Sequence, residues 1–92
     1  MLVLSRRAGE AILIEDVVVT LLSVRPDFIE VALQKRSGGK SVVVTLSKGQ
    51  SVDACYDSRI CFVAYRDSKA RLGIQAPADI EIRRQEMRNA MP

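Results

Sequence analysis

Apolar residues in this chain fall in short runs, some alternating with polar residues and some continuous, and each run is cut off by Gly, Pro, Asp or Ser before it could complete a helix. The runs are "EAILIED", "VVVTLLSV", "FIEVALQK", "SVVVTL", "RICFVAYR" and "ARLGIQ". In "FIEVALQK", Ile29, Val31 and Leu33 alternate with Glu30, Ala32 and Gln34, which places one apolar face on a strand. Period two, β-branched content and frequent breaks predict strands nearly throughout and exclude a helical bundle. The breaks sort the strands into pairs. Ala8 and Gly9 between "MLVLSRR" and "EAILIED" predict a first hairpin, and "RPD" predicts a second, between "VVVTLLSV" and "FIEVALQK". "RSGGK" and "SKGQ" bound "SVVVTL", while "DSK" joins "RICFVAYR" to "ARLGIQ", with Leu72 and Ile74 inward and Arg71 and Gln75 outward. Pro77 ends that ladder because it has no N–H to donate. "SVDACYDS" supports no assignment, since Asp53 and Asp57 have low β-propensity. "DIEI" predicts a strand with Ile80 and Ile82 on one face, and "RRQEMRNAM" a short C-terminal helix that must lean on the rest of the molecule.

At 92 residues the chain is one domain with a thin core, a size at which oligomerisation often completes the burial. A hydrophobic fraction of 48% against 27% charged residues excludes a disordered polyelectrolyte. No run approaches the roughly 18 apolar residues of a membrane span, and the start lacks the apolar stretch of a secretory leader, so a cytoplasmic protein is expected. Cys55 and Cys61 have no His and no further thiol to form a metal set, which predicts two reduced thiols and no metal. "SGGKS" is not a phosphate-binding loop: Gln34 stands where that motif needs Gly, and a strand rather than a helix follows. Without His, and with Asp and Glu mostly at turns, the residues for acid/base or nucleophilic catalysis are missing, so no catalytic residue and no cofactor are expected. The net charge is only +3, but Lys35, Arg36, Lys40 and Lys48 cluster in an acid-free stretch, and Arg6, Arg7, Arg83, Arg84 and Arg88 gather at the two ends. A polyanionic partner read by Arg rather than by stacked aromatic side chains fits this distribution.

"MLVLSRRAGEAILIED" at residues 1–16 and "ARLGIQAPADIEIRRQEM" at 70–87 resemble, in order and in charge, the carbon storage regulator family (CsrA/RsmA) of small RNA-binding translational regulators. The shared pattern is an aliphatic strand ending Arg-Arg-x-Gly-Glu, then a strand ending in Ala-Pro, an alternating strand and a basic pair. The resemblance implies a mainly β fold: a small interlaced antiparallel homodimer with one short C-terminal helix per chain. Here a β-rich insertion at about residues 17–58 would interrupt a single domain spanning 1–92. A second alignment lets the "VVVTLLSV" hairpin supply a family strand and starts the insertion near Arg25. Arg83 and Ala78 depart from the family, which commonly has His and Lys there.

In the interlaced arrangement that the resemblance implies, Leu4, Ser5, Arg6 and Arg7 of one chain meet Ile80, Ile82, Arg83 and Arg84 of its partner, with Ala76 and Pro77 alongside. These ten residues are the implied RNA site. Lys35, Arg36, Lys40 and Lys69 are accessory candidates. The implied ligands are mRNA leaders and small regulatory RNAs with GGA motifs in hairpin loops, whose binding mostly represses translation, with no small-molecule substrate and no membrane. The rival reading is a subunit that pairs with another family member and binds no RNA itself.

Overall fold

The structure, a computed structural model, describes residues 1–85. Its strands are β1 (Leu2–Arg6), β2 (Ala11–Ile14), β3 (Val17–Val24), β4 (Phe28–Lys35), β5 (Val42–Ser47), β6 (Ser51–Asp53), β7 (Arg59–Arg66), β8 (Lys69–Gln75) and β9 (Ile82–Gln85). They form two antiparallel sheets, one in the order β1-β8-β7-β6 and the other β5-β4-β3-β2-β9. Among the described residues no helix is long and apolar enough to cross a membrane.

The two sheets share one core. Ile12, Val19, Leu21, Ile29, Val31 and Leu46 from one sheet join Leu4, Ile60, Phe62, Leu72 and Ile74 from the other in a single buried cluster. The alternation in "FIEVALQK" is realised: Ile29 and Val31 are fully buried, and Leu33 packs against the cluster. The β3–β4 and β7–β8 hairpins form at the expected breaks. Asp67 and Ser68 both take positive φ in the tight β7–β8 turn, the conformation that matches the twist of the flanking strands. The stretch "SVDACYDS" divides into the short strand β6 and a turn in which Tyr56 and Asp57 have positive φ.

Three expectations are corrected. The first hairpin does not form, because β1 pairs with β8 and β2 pairs with β3. The reason lies in the connection: Gly9 N donates to Leu21 O (2.7 Å) and Leu21 N donates to Glu10 O (2.9 Å), so the turn docks on β3 and carries the chain from one sheet to the other. Gly9 accommodates the left-handed backbone required there, with φ +92°. The last strand begins at Ile82 rather than at Asp79. Finally, Arg83 and Arg84, assigned to a helix by propensity, lie in β9 opposite Leu13 and Ile12, where a ladder with β2 outweighs local preference. The remainder of the expected helix falls outside the described residues.

Interlacing is present, but inside one chain. The first strand crosses to the sheet built by β6–β8, and β9 lies beside β2. The strand-like segments of the central stretch are ordered within the two sheets, and Leu46 of β5 reaches the common core.

Candidate nucleic-acid interface

Strand β1 closes one sheet and β9 closes the other, so each has one edge without a ladder partner among the described residues. These two edges face common clefts. Ser5, Arg6, Arg7, Glu10, Lys69 and Arg84 line one, of about 280 Å³. Leu2, Ala76, Pro77, Ile80 and Ile82 are among the residues lining a second, of about 310 Å³. The first is cationic and the second largely aliphatic. Residues from both ends of the sequence thus line shared clefts within one chain, where the family pattern implied strand against strand across a dimer.

The side chains in the cationic cleft differ in what they can offer. Arg6 is only 7% exposed; its Nε donates to Ser5 O (2.9 Å) and its guanidinium also donates to Ala11 O (3.3 Å). Glu10 Oε1 lies 3.7 Å from Arg6 Nε and accepts from the backbone N–H of Arg7 (2.8 Å). Arg6 therefore holds the turn and the end of β1, while Arg7 and Arg84 are the exposed cations. Lys69, half-buried at the start of β8, adds a further positive charge. Glu10 was not among the expected site residues. Its signal was the spacing in "RRAGE", which lets a carboxylate reach back to the backbone of the arginine three positions earlier.

The other expected residues are placed as follows. Leu4 is buried opposite Leu72 and belongs to the core, so it supports the β1 edge from below. Ser5 is half-buried on that edge. Arg83 is exposed, lines neither cleft and has its Nε 3.7 Å from Glu81 Oε2. Lys35 and Lys40 line a separate apolar hollow of about 340 Å³ with Val17, Leu33 and Val42, and Arg36 lines none of these clefts. Open strand edges flanked by exposed guanidinium groups suit unpaired nucleotides: backbone groups and Arg forks can meet base edges and phosphates without aromatic platforms.

A small β protein with a basic, open-edged surface is the class that this geometry defines. Residues 1–37 match the CsrA family model, described as a global regulator protein family. The chain is also 62% identical over 34 residues to the translational regulator CsrA of Nocardioides sp. (strain ATCC BAA-499 / JS614). That likeness covers 36% of this chain and 41% of the relative, so the chain spans about two fifths of the protein it matches. Both findings support the carbon storage regulator family, on the N-terminal part of the chain. No solved structure matches it at a significant level.

Proposed function

We propose that this protein is an RNA-binding translational regulator that takes a GGA-containing loop of an mRNA leader or small RNA in the clefts that β1 and β9 both line. The observation that carries this reading is the cleft in which Arg7, Lys69 and Arg84 converge although they are far apart in sequence. Among the described residues that line it, four cations stand beside one carboxylate, that of Glu10, which accepts from Arg7 N–H and faces Arg6. The aliphatic cleft next to Ala76 and Pro77 gives an extruded base an apolar wall. The name of the relative and the family match support regulation of translation as the purpose of such binding. The matched range also runs through the β3–β4 hairpin, which supports starting the extra residues after Ser37 instead of at Val17.

A gel shift with a GGA hairpin and a scrambled-loop control tests the reading. Arg84→Ala is expected to weaken binding to the GGA hairpin by tenfold to a hundredfold, the effect of losing a charge-assisted contact of about 1–3 kcal/mol. Arg83→Ala is expected to act mainly through the salt dependence. Unchanged affinity in Arg84→Ala would remove the proposed site, equal binding of the two loops would remove the GGA specificity, and no binding of either loop would favour the subunit that binds no RNA.

A further inference from the structure

Residues 2–35 and 42–75 have the same structure. Strands β1 to β4 correspond in order to β5 to β8, and the correspondence extends to residue pairing. Ile12 faces Val19 as Val52 faces Ile60, and Thr20 faces Ala32 as Cys61 faces Gly73. Leu4 faces Leu72 as Val44 faces Val31. Both long hairpins shift register at the same place, between Leu21 and Ser23 in one and between Phe62 and Ala64 in the other. The turn after the first strand is repeated bond for bond. Arg7 N donates to Glu10 Oε1 (2.8 Å) and Ser47 N to Gln50 Oε1 (2.9 Å); Glu10 N donates to Arg7 O (3.0 Å) and Gln50 N to Ser47 O (2.9 Å). Gly9 N reaches Leu21 O (2.7 Å) and Gly49 N reaches Phe62 O (2.8 Å), the two glycines having φ +92° and +88°. Generic strand pairing does not supply a shared register, a shared bulge and a shared turn together.

The two units also exchange strands. Unit one places β1 against β8 of unit two, and unit two places β5 against β4 of unit one. Reciprocal exchange of this kind is how two identical chains interlock about a two-fold axis. Here both partners lie on one chain, joined by residues 36–41.

Symmetry fails in two places: the β6–β7 turn is longer than the β2–β3 turn, and the proposed RNA site has no counterpart. After β4 the chain passes directly to β5, whereas after β8 it continues through Pro77 to β9, which pairs with β2. Among the described residues nothing pairs with the outer edge of β6, the counterpart of β2. The first strand of unit two has also lost the charges: Leu46 and Ser47 stand where unit one has Arg6 and Arg7, and Phe28 stands where the cleft has Lys69.

We propose that the chain is a tandem duplicate closed on itself as a monomer, and that it offers one RNA site, at β1 and β9, with the symmetry-related position blank. The count of one rests on the RNA reading above. A protein of this kind engages one element per molecule. It gains nothing from a second element on the same message, because it has no second site to convert that encounter into an intramolecular one.

Two measurements on the full chain test this. Sedimentation equilibrium at micromolar concentration is expected to give the 10.2 kDa monomer, folded, with a denaturation midpoint independent of protein concentration. Titration with a single-loop GGA hairpin is expected to saturate at one RNA per chain, and an RNA with two loops is expected to bind each chain no more tightly than the statistical factor allows. In Arg7→Ala/Arg84→Ala, stoichiometric binding is expected to vanish without a residual half. A folded two-chain species, two RNAs per chain or a surviving second site would each overturn the proposal. Monomeric mass with no RNA binding would instead remove the functional reading and its count of one, leaving closure within one chain standing.

Discussion

The two halves of the molecule share a scaffold but spend the same positions differently. Arg6 and Leu46 are equivalent, and both are buried, at 7% and 3% exposure. In the first half the guanidinium is held by Ala11 O and faces Glu10; in the second the leucine enters the core, and Gln50 replaces Glu10. Gln50 keeps the turn hydrogen bond but not the charge, so the structural and electrostatic roles of that position come apart. In a homodimer every substitution appears in both halves. A chain that carries both copies can keep one basic edge and make the other apolar.

The largest expected effect tests whether the halves form one cooperative unit. Leu21 and Phe62 occupy equivalent places at the two bulges and are essentially inaccessible to solvent. Leu21→Ala should cost about 2–5 kcal/mol and Phe62→Ala about 3–5 kcal/mol, from lost transfer energy and the cavity left behind. Because β1 and β5 are exchanged between the halves, either substitution should shift a single transition, with circular dichroism and tyrosine fluorescence in agreement. Two separated transitions would show that the halves fold independently.

A smaller effect separates the two edges. Leu46→Arg places a guanidinium where no carboxylate replaces Glu10, which should destabilise the fold by about 3 kcal/mol, the low end for an uncompensated buried charge because β5 is an edge strand. The reverse exchange, Arg6→Leu, should cost about 1 kcal/mol, the low end for acceptors that lose a donor, since Ser5 and Glu10 are only half-buried and an apolar side chain fills the space. Urea titrations of both variants measure the difference. Equal costs would mean that the environments of the two edges have not diverged.

How far all this could be read from the sequence depends on what each signal reports. Alternation in "FIEVALQK" reports a local face, and β4 presents that face. It says nothing about the partner strand, so the pairing of β1 with β8, fixed by Leu4 against Leu72, was out of reach and a local hairpin was expected instead. Arg83 and Arg84 are good helix formers whose ladder with β2 only the fold supplies. The arginine pairs at the two ends pointed to the clefts, but burial of Arg6 and Leu4 depends on neighbours distant in sequence. The duplication was hidden because equivalent positions keep hydrophobic class more than identity, as with Leu21 and Phe62 or Val31 and Leu72. The turn Glu15–Asp16 also became the longer Cys55–Tyr56–Asp57, which shifts the second half out of step.

Those two unequal turns meet, and their contact carries the smallest effect. The Tyr56 hydroxyl donates to an Asp16 carboxylate oxygen, joining the β6–β7 turn of one half to the β2–β3 turn of the other. That hydrogen bond is the main cause holding the Asp16 carboxyl below its ordinary value of 3.8, and the main cause pushing the Tyr56 hydroxyl up to about 12. For Asp16, a depressed folded value means that the stabilisation is complete above the unfolded value and is lost as pH falls through the folded one. For Tyr56, a raised folded value means that it is complete below pH 10 and is lost as pH rises toward 12. Both groups are solvent-exposed, so the contribution is small and screened by salt. Tyr56→Phe should therefore lower the urea midpoint slightly at neutral pH. The gap to the parent should close in strong acid, where Asp16 is protonated in the native state too, and narrow again in strong alkali. A gap that stays constant from neutral to strongly acidic pH would show that the two turns are not coupled through this bond and that the halves are held together by the exchanged strands and the common core alone.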